Sequence, residues 1–173
     1  DSRFDCHVIY EGGEVMTKDG TVYYERDADA PSQIASVTKV MTILLTLEAI
    51  DDGRVALDDV VTISESAAGM GGSQVLLDVG ETQSVSLLLK SMIVGSANDA
   101  AVALAEALYG SEALCCAKMN ERAQELGMAD THFVNCTGLP VDGQHTTVRD
   151  VARMSIAVFG HSLYYAYSQI WLD

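Results

Sequence analysis

Apolar and polar positions alternate through the first thirty residues with the two-residue period of a strand, over Cys6 to Tyr10, Glu14 to Thr17 and Thr21 to Arg26. Lys18-Asp19-Gly20 has the composition of a tight turn, so the chain is expected to open with a β-hairpin or small meander. From Ser36 onward the period becomes helical. Val37, Val40, Met41, Ile43, Leu44, Leu45, Leu47 and Ile50 leave almost no polar face. A helix over about 36–50, stopped at Gly53, is therefore expected to be buried nearly all round and to form the centre of the fold. Capping residues and terminal glycines predict further helices over Ser84 to Val94, Asn98 to Tyr109, Ser111 to Leu126 and Thr147 to Phe159. Thr147 followed three residues later by Asp150 reads as a capping box. A Gly-rich loop at 67–73 and a long loop at 131–146 separate these segments.

The pattern gives an α+β chain, strands in 1–30 and mainly helices in 31–173, with no repeat and no linker to divide it. A single domain of 173 residues can hide roughly two thirds of its unfolded surface. Charge narrows the partners: the net charge is −15, and the Lys and Arg residues are scattered singly, so no basic stripe is available for nucleic acid. Anionic membrane surfaces would repel the chain. The apolar runs near 37–47 and 85–94 are broken by Lys39, Thr42, Thr46 and Lys90, short of the about 18 residues a membrane span needs.

Cys6, Cys115, Cys116 and Cys136 lack metal-ligand spacing, so no metal is expected. Cys115 and Cys116 are neighbours on a helix and point about 100° apart, so both cannot face one partner. One of them reads as a small core residue, and a bridge from Cys136 to either is open. The chain starts at Asp1 without an apolar leader, as a cytosolic fragment or a mature chain after signal removal would.

Ser36-Val37-Thr38-Lys39 places a hydroxyl and an amine at i and i+3, on one face of the first helical turn. Open backbone N–H groups and the positive end of the helix dipole can steady an oxyanion there, and a lysine buried in an apolar helix loses proton affinity and can act as a base. Read alone, the pair is equally a capping serine and a lysine that reaches back to water. Ser96-Ala97-Asn98-Asp99 stands at another helix start, where a plain reading is again a good cap. Together the two groups make a four-residue polar site between packed helices, a usual place for a pocket.

Ser-x-x-Lys paired with Ser-x-Asn resembles two of the three motifs of the penicillin-recognising serine acyl-transferases. The blocks Ile34 to Thr42, Ser96 to Ala101, Met119-Asn120, Leu126 to Met128, Thr131 to Asn135, Gly138 to Pro140 and Asp142 to His145, in that order, are similar to the D-alanyl-D-alanine carboxypeptidases, the low-molecular-weight penicillin-binding proteins. The resemblance runs from about Thr21 to the end of the chain. It implies a penicillin-binding domain with a β-lactamase/transpeptidase-like fold, working without a cofactor outside the cytoplasm on peptidoglycan stem peptides that end in D-Ala-D-Ala, and blocked by β-lactams. Ser36 would be the nucleophile, Lys39 its base and Ser96 the proton relay to the departing D-Ala. Asn98 would hold the substrate amide. His145 would lie near the substrate cleft, its plain reading being a surface loop residue. His7, His132 and His161 have no site argument, and His132 reads as a packed polar residue.

One motif departs from the family pattern: Lys118 is the last lysine, so no Lys-Thr-Gly follows it. The expectation is an N-terminal piece of a longer protein, stopping before the family's last strands and turning over little substrate alone. Its two strands would leave backbone edges open to pairing with another copy. The competing functions are a serine β-lactamase, a non-catalytic cell-wall-binding or regulatory module, and a plain helical interaction domain in which both motifs are only caps. The first needs a carboxylate to activate the deacylating water, and the loop at 131–146 contains no Glu.

Overall fold

A computed structural model of the chain describes residues 13–16, 19 and 21–172. The strand expected over Cys6 to Tyr10, and Lys18 and Gly20 of the expected turn, lie outside the described residues. The hairpin itself is there: β1 (Gly13–Met16) pairs antiparallel with β2 (Val22–Arg26), with a register slip between Val15 and Met16. In the connection, Asp19 Oδ1 accepts the Thr21 N–H at 3.1 Å.

The central helix α1 (Thr38–Asp51) starts two residues later than the sequence pattern suggests. Met41, Leu44, Leu47 and Ala49 are fully buried, and so are Thr38, Lys39, Thr42 and Thr46. The nearly all-round burial follows from its neighbours. Helices α3 (Val85–Gly95), α4 (Asn98–Tyr109), α5 (Glu112–Glu125) and α6 (Val148–Phe159) all pack on it. Ser84 and Ser111 cap α3 and α5 as their sequences suggest, each accepting the N–H three residues on.

Three short elements escape the periodicity because each is too brief to show a period. Strands β3 (Val60–Thr62) and β4 (Thr82–Ser84) form a second antiparallel hairpin, with only Val61 of β3 buried. A single turn, α2 (Glu65–Ala68), stands where the Gly-rich loop was expected to begin. After α6 the chain adds α7 (Ser162–Ser168), which packs on α3 and bonds Tyr167 Oη to Ser86 Oγ at 2.7 Å.

The expected capping box at α6 forms by half. Thr147 Oγ1 accepts the Asp150 N–H at 3.2 Å, but the Asp150 carboxylate does not return to Thr147. Its Oδ2 accepts the Asp130 N–H at 3.0 Å and the Thr131 hydroxyl at 2.8 Å, while Oδ1 accepts from Arg153. Asp150 is 1% exposed and so ties the start of the long loop to the helix that follows it. The other end of that loop is tied to the strand side, where Ser32 and Thr146 exchange backbone hydrogen bonds of 2.8 and 3.0 Å.

Cys115, Cys116 and Cys136 are free and buried, so neither conceivable bridge has formed. Cys136 Sγ–H instead donates to Glu112 Oε1 at 3.3 Å, and Cys116 Sγ–H to Val134 O at 3.4 Å. Burial pushes the thiol of Cys115 up to about 12 and that of Cys116 to about 11. Both are inert thiols of the core.

Asp150→Ala should cost about 2–4 kcal/mol, because the Asp130 N–H, the Thr131 hydroxyl and Arg153 lose their shared acceptor inside the protein. Thermal or urea unfolding measures this, and a loss below about 0.5 kcal/mol would mean that water replaces the carboxylate without cost.

Candidate active site

Ser36 occupies an exposed turn just ahead of α1. The cap position belongs to Val37, whose backbone is already helical (φ −58°, ψ −25°) and whose side chain makes no cap bond. The capping-serine reading therefore fails, and the Ser36 hydroxyl is left available. Contrary to expectation, the amides of Thr38, Lys39 and Val40 are not open to a ligand: they donate to the carbonyls of Ala35, Ser36 and Val37 at 2.9–3.0 Å. The helix begins with a tight 3₁₀-type turn, which uses up its first donors.

Lys39 does not reach back to water. It is 3% exposed, and its Nζ donates to Thr137 O at 2.7 Å and to Ser36 Oγ at 3.4 Å. Desolvation lowers its pKa below the ordinary lysine value, opposed in part by Cys136.

The carbonyl that Lys39 needs comes from the long loop, and a network holds it in place. Asn135 Oδ1 accepts the N–H groups of Thr137 and Gly138 at 3.3 and 2.8 Å, an Asx-type turn. Asn135 Nδ2 donates to Leu139 O, and Gln144 Oε1 accepts the N–H groups of Val134 and Asn135. Next door, Cys136 O accepts the Thr42 hydroxyl at 2.9 Å while the Cys136 N–H donates to Glu112 Oε1. Gly138 is obligatory here: its φ is +85°, and a Cβ would stand 2.1 Å from Ala35 O and 3.1 Å from Ser36 N. Its bare backbone lies directly against the Ser36 turn.

The second motif divides between two helices. Ser96 ends α3 in the left-handed region (φ 52°, ψ 35°) instead of starting α4, and Ala97 holds the cap position without a side-chain bond. Both capping readings of this motif are thus replaced. Among the described residues no hydrogen bond joins the Ser96 hydroxyl to Ser36 or Lys39. Asn98, 3% exposed, donates its N–H to Ser73 O and its Nδ2 to Gly71 O, both at 2.7 Å. Its Oδ1 is buried and has no partner. Gly72 bridges the two halves: a Cβ there would lie 2.9 Å from Asn98 Nδ2 and 3.6 Å from Leu139 Cδ2. Close contacts thus link the Ser36 turn through Gly138, Leu139 and Gly72 to Asn98.

His145 is exposed, and its Nδ1 lies 3.0 Å from Gly143 O. It exchanges backbone hydrogen bonds with His132, and the two rings stand 6.2 Å apart. His132 is also exposed, which corrects its reading as a packed residue. Sequence reasoning gave no role to Thr137, Asn135, Gln144 or Gly138. The Asn-x-Thr-Gly spacing of an Asx turn was the one signal for them.

A model of the D-alanyl-D-alanine carboxypeptidases, the Peptidase S11 family, matches residues 15–170. The chain belongs to this family. It is 44% identical over 136 residues to the D-alanyl-D-alanine carboxypeptidase DacF of Bacillus subtilis, a match covering 79% of this chain and 35% of that protein. The crystal structure of DacD from Francisella tularensis superposes with a TM-score of 0.90 at 32% identity, over 96% of this chain and 41% of that one. Penicillin-binding protein D2 of Listeria monocytogenes, solved in its ampicillin-bound form, gives 0.75 at 32% identity over 87% of this chain and 61% of its own. The chain thus spans well under half the length of DacF and DacD. The fold is the transpeptidase-like fold of these penicillin-binding proteins.

Ser96→Gly should stabilise the chain. Relief of a left-handed serine is worth about 1–2 kcal/mol, set against about 0.5–1 kcal/mol of extra unfolded-chain entropy, for a net gain of up to about 1.5 kcal/mol. A lower unfolding midpoint in the glycine variant would show that the Ser96 hydroxyl holds the α3–α4 junction together.

Proposed function

We propose that this chain carries the nucleophile and amide-binding part of a serine D-Ala-D-Ala carboxypeptidase that acts outside the cytoplasm on peptidoglycan stem peptides and is acylated by β-lactams. One observation carries the reading: the ammonium of Lys39 is sealed in the core with a backbone carbonyl and the Ser36 hydroxyl as its bonded neighbours. A buried amine that loses its proton readily, placed on a free hydroxyl, is the arrangement of an activated nucleophile.

In this mechanism neutral Lys39 takes the Ser36 proton as Oγ attacks the carbonyl carbon of the penultimate D-Ala. Collapse of the tetrahedral adduct breaks the C–N bond, and the departing D-Ala amine receives a proton through Ser96. The acyl group remains as an ester on Ser36. Water then attacks the ester, the Ser36 hydroxyl regains its proton, and the shortened peptide leaves. Asn98, held through Nδ2 by Gly71 O and with its Oδ1 buried and unpartnered, is the residue that holds the substrate amide. His145 is exposed on the 131–146 loop that delivers the Thr137 carbonyl, where it would meet the flanking peptide.

Intact-mass measurement after incubation of the full-length protein with benzylpenicillin should show one covalent adduct, absent in Ser36→Ala. Lys39→Arg should abolish it as well, because a guanidinium stays protonated and cannot act as the base. Retention of the adduct in either variant would overturn the assignment. The pH dependence follows from the lowered pKa of Lys39. The base must be neutral, so the acylation rate should rise with pH and level off below the ordinary lysine value of 10.5. In that window the unfolded chain holds more protons than the folded one, so stability should rise with pH too. An acylation rate indifferent to pH would move the base elsewhere.

A further inference from the structure

The Gly-rich loop is suspended from two consecutive side chains at the start of α4, and only the first of them, Asn98, belongs to the proposed chemistry. The second, Asp99, has no exposed surface. Its carboxylate accepts the Val75 N–H at 3.0 Å on Oδ2 and 3.2 Å on Oδ1, the Leu77 N–H at 3.2 Å on Oδ2, and the Ala100 N–H at 2.8 Å on Oδ1. Between the two loop donors stands Leu76, in the left-handed region at φ +60° and 75% exposed. A leucine gains nothing from that conformation by itself, and L-residues other than glycine seldom adopt it. Leu76 takes it because a left-handed residue turns the N–H groups on either side of it toward one point, forming a concave anion nest that the Asp99 carboxylate fills.

The same loop supplies the two carbonyls that grip Asn98, Gly71 O on Nδ2 and Ser73 O on the N–H. An amide can turn over and exchange its oxygen for its nitrogen, and the Gly71 carbonyl is what selects the orientation with Oδ1 unpartnered. Holding that carbonyl in place requires the loop to be anchored beyond it, and the anchor is Asp99.

We infer that Asp99 is a positioning residue for substrate binding: through the 71–77 loop it holds the Asn98 amide in its one orientation at the substrate site. The inference rests on the reading of Asn98 as the amide-binding residue. It also accounts for the left-handed Leu76 as a consequence of that anchoring.

The test is a double-mutant cycle in the full-length enzyme with a D-Ala-D-Ala peptide as substrate. Asp99→Asn keeps the shape but turns a donor toward the nest. It should raise KM roughly tenfold, the equivalent of one misplaced hydrogen bond, with kcat changed less than about twofold. Asn98→Ala should raise KM by at least as much, and the double variant should be no worse than Asn98→Ala alone, since Asp99 acts only through Asn98. An unchanged KM in Asp99→Asn, or losses that multiply in the double variant, would overturn the inference while leaving Asn98 in its role. An unchanged KM in Asn98→Ala would overturn the amide-binding reading and this inference with it. Should Asp99→Asn fail to fold, Leu76→Pro carries the same test from the solvent side. Proline cannot adopt a positive φ, so the nest opens and the same KM loss, non-additive with Asn98→Ala, is expected.

Discussion

A lysine forced inside by its own helix sets the constraint that the rest of the site meets. Four helices pack on α1 and leave Lys39 3% exposed, and its ammonium would be prohibitively costly to bury without an acceptor. Thr137 supplies that acceptor from 98 residues away in sequence. The geometry of the long loop follows from this delivery. Asn135 and Gln144 fold the backbone into shape, Glu112 and Thr42 pin Cys136 from both sides, and Gly138 lets the chain lie flat against the Ser36 turn. The ties at each end, Ser32 to Thr146 and Asp150 to Asp130, fix the loop between the strand side and α6.

The α3–α4 junction is organised by a different constraint. Two helices meet there with only Ser96 and Ala97 between them, so the chain must reverse within a residue, and a left-handed backbone at Ser96 does this. Glycine ends α4 in the same conformation at Gly110 (φ 88°). Serine at the sharper junction costs stability, and such local strain is tolerated where a side chain is needed for chemistry. The junction leaves Asn98 and Asp99 as the first two residues of α4, both facing the Gly-rich loop.

Much of the architecture was legible because helix ends are written in residue types. Ser84, Ser111 and Thr147 each cap the helix they precede, and α4 ends at the tyrosine before Gly110 as its sequence implies. The two polar motifs were legible as chemistry, but their local geometry was not. Ser36 and Ser96 both look like caps by composition, and in the fold neither is one, since Val37 and Ala97 take those positions. The acceptor for Lys39 was hidden for a deeper reason. A backbone carbonyl is common to every residue, so nothing in the identity of Thr137 marks it, and only the turn chemistry of Asn135 and the glycine three residues further hint at what the loop does. The hairpin of β3 and β4 was missed because three residues do not establish a period.

Lys39 and Asp99 are two buried charges in one site, and their hydrogen bonding separates their roles. The carboxylate of Asp99 meets three backbone N–H groups and lies at the first turn of α4, where the helix dipole favours a negative charge. Its demand for donors is met by backbone that has no other partner, and the result is a fixed piece of structure. The ammonium of Lys39 has three protons to place and meets one short acceptor and one long one, the second being a hydroxyl that must itself give up a proton. An ion supplied this sparingly gains by losing its charge, and among the described residues the hydroxyl within reach of the vacated lone pair is that of Ser36. The fold therefore builds reactivity by under-serving one buried charge and rigidity by fully serving the other, within two helices packed against each other.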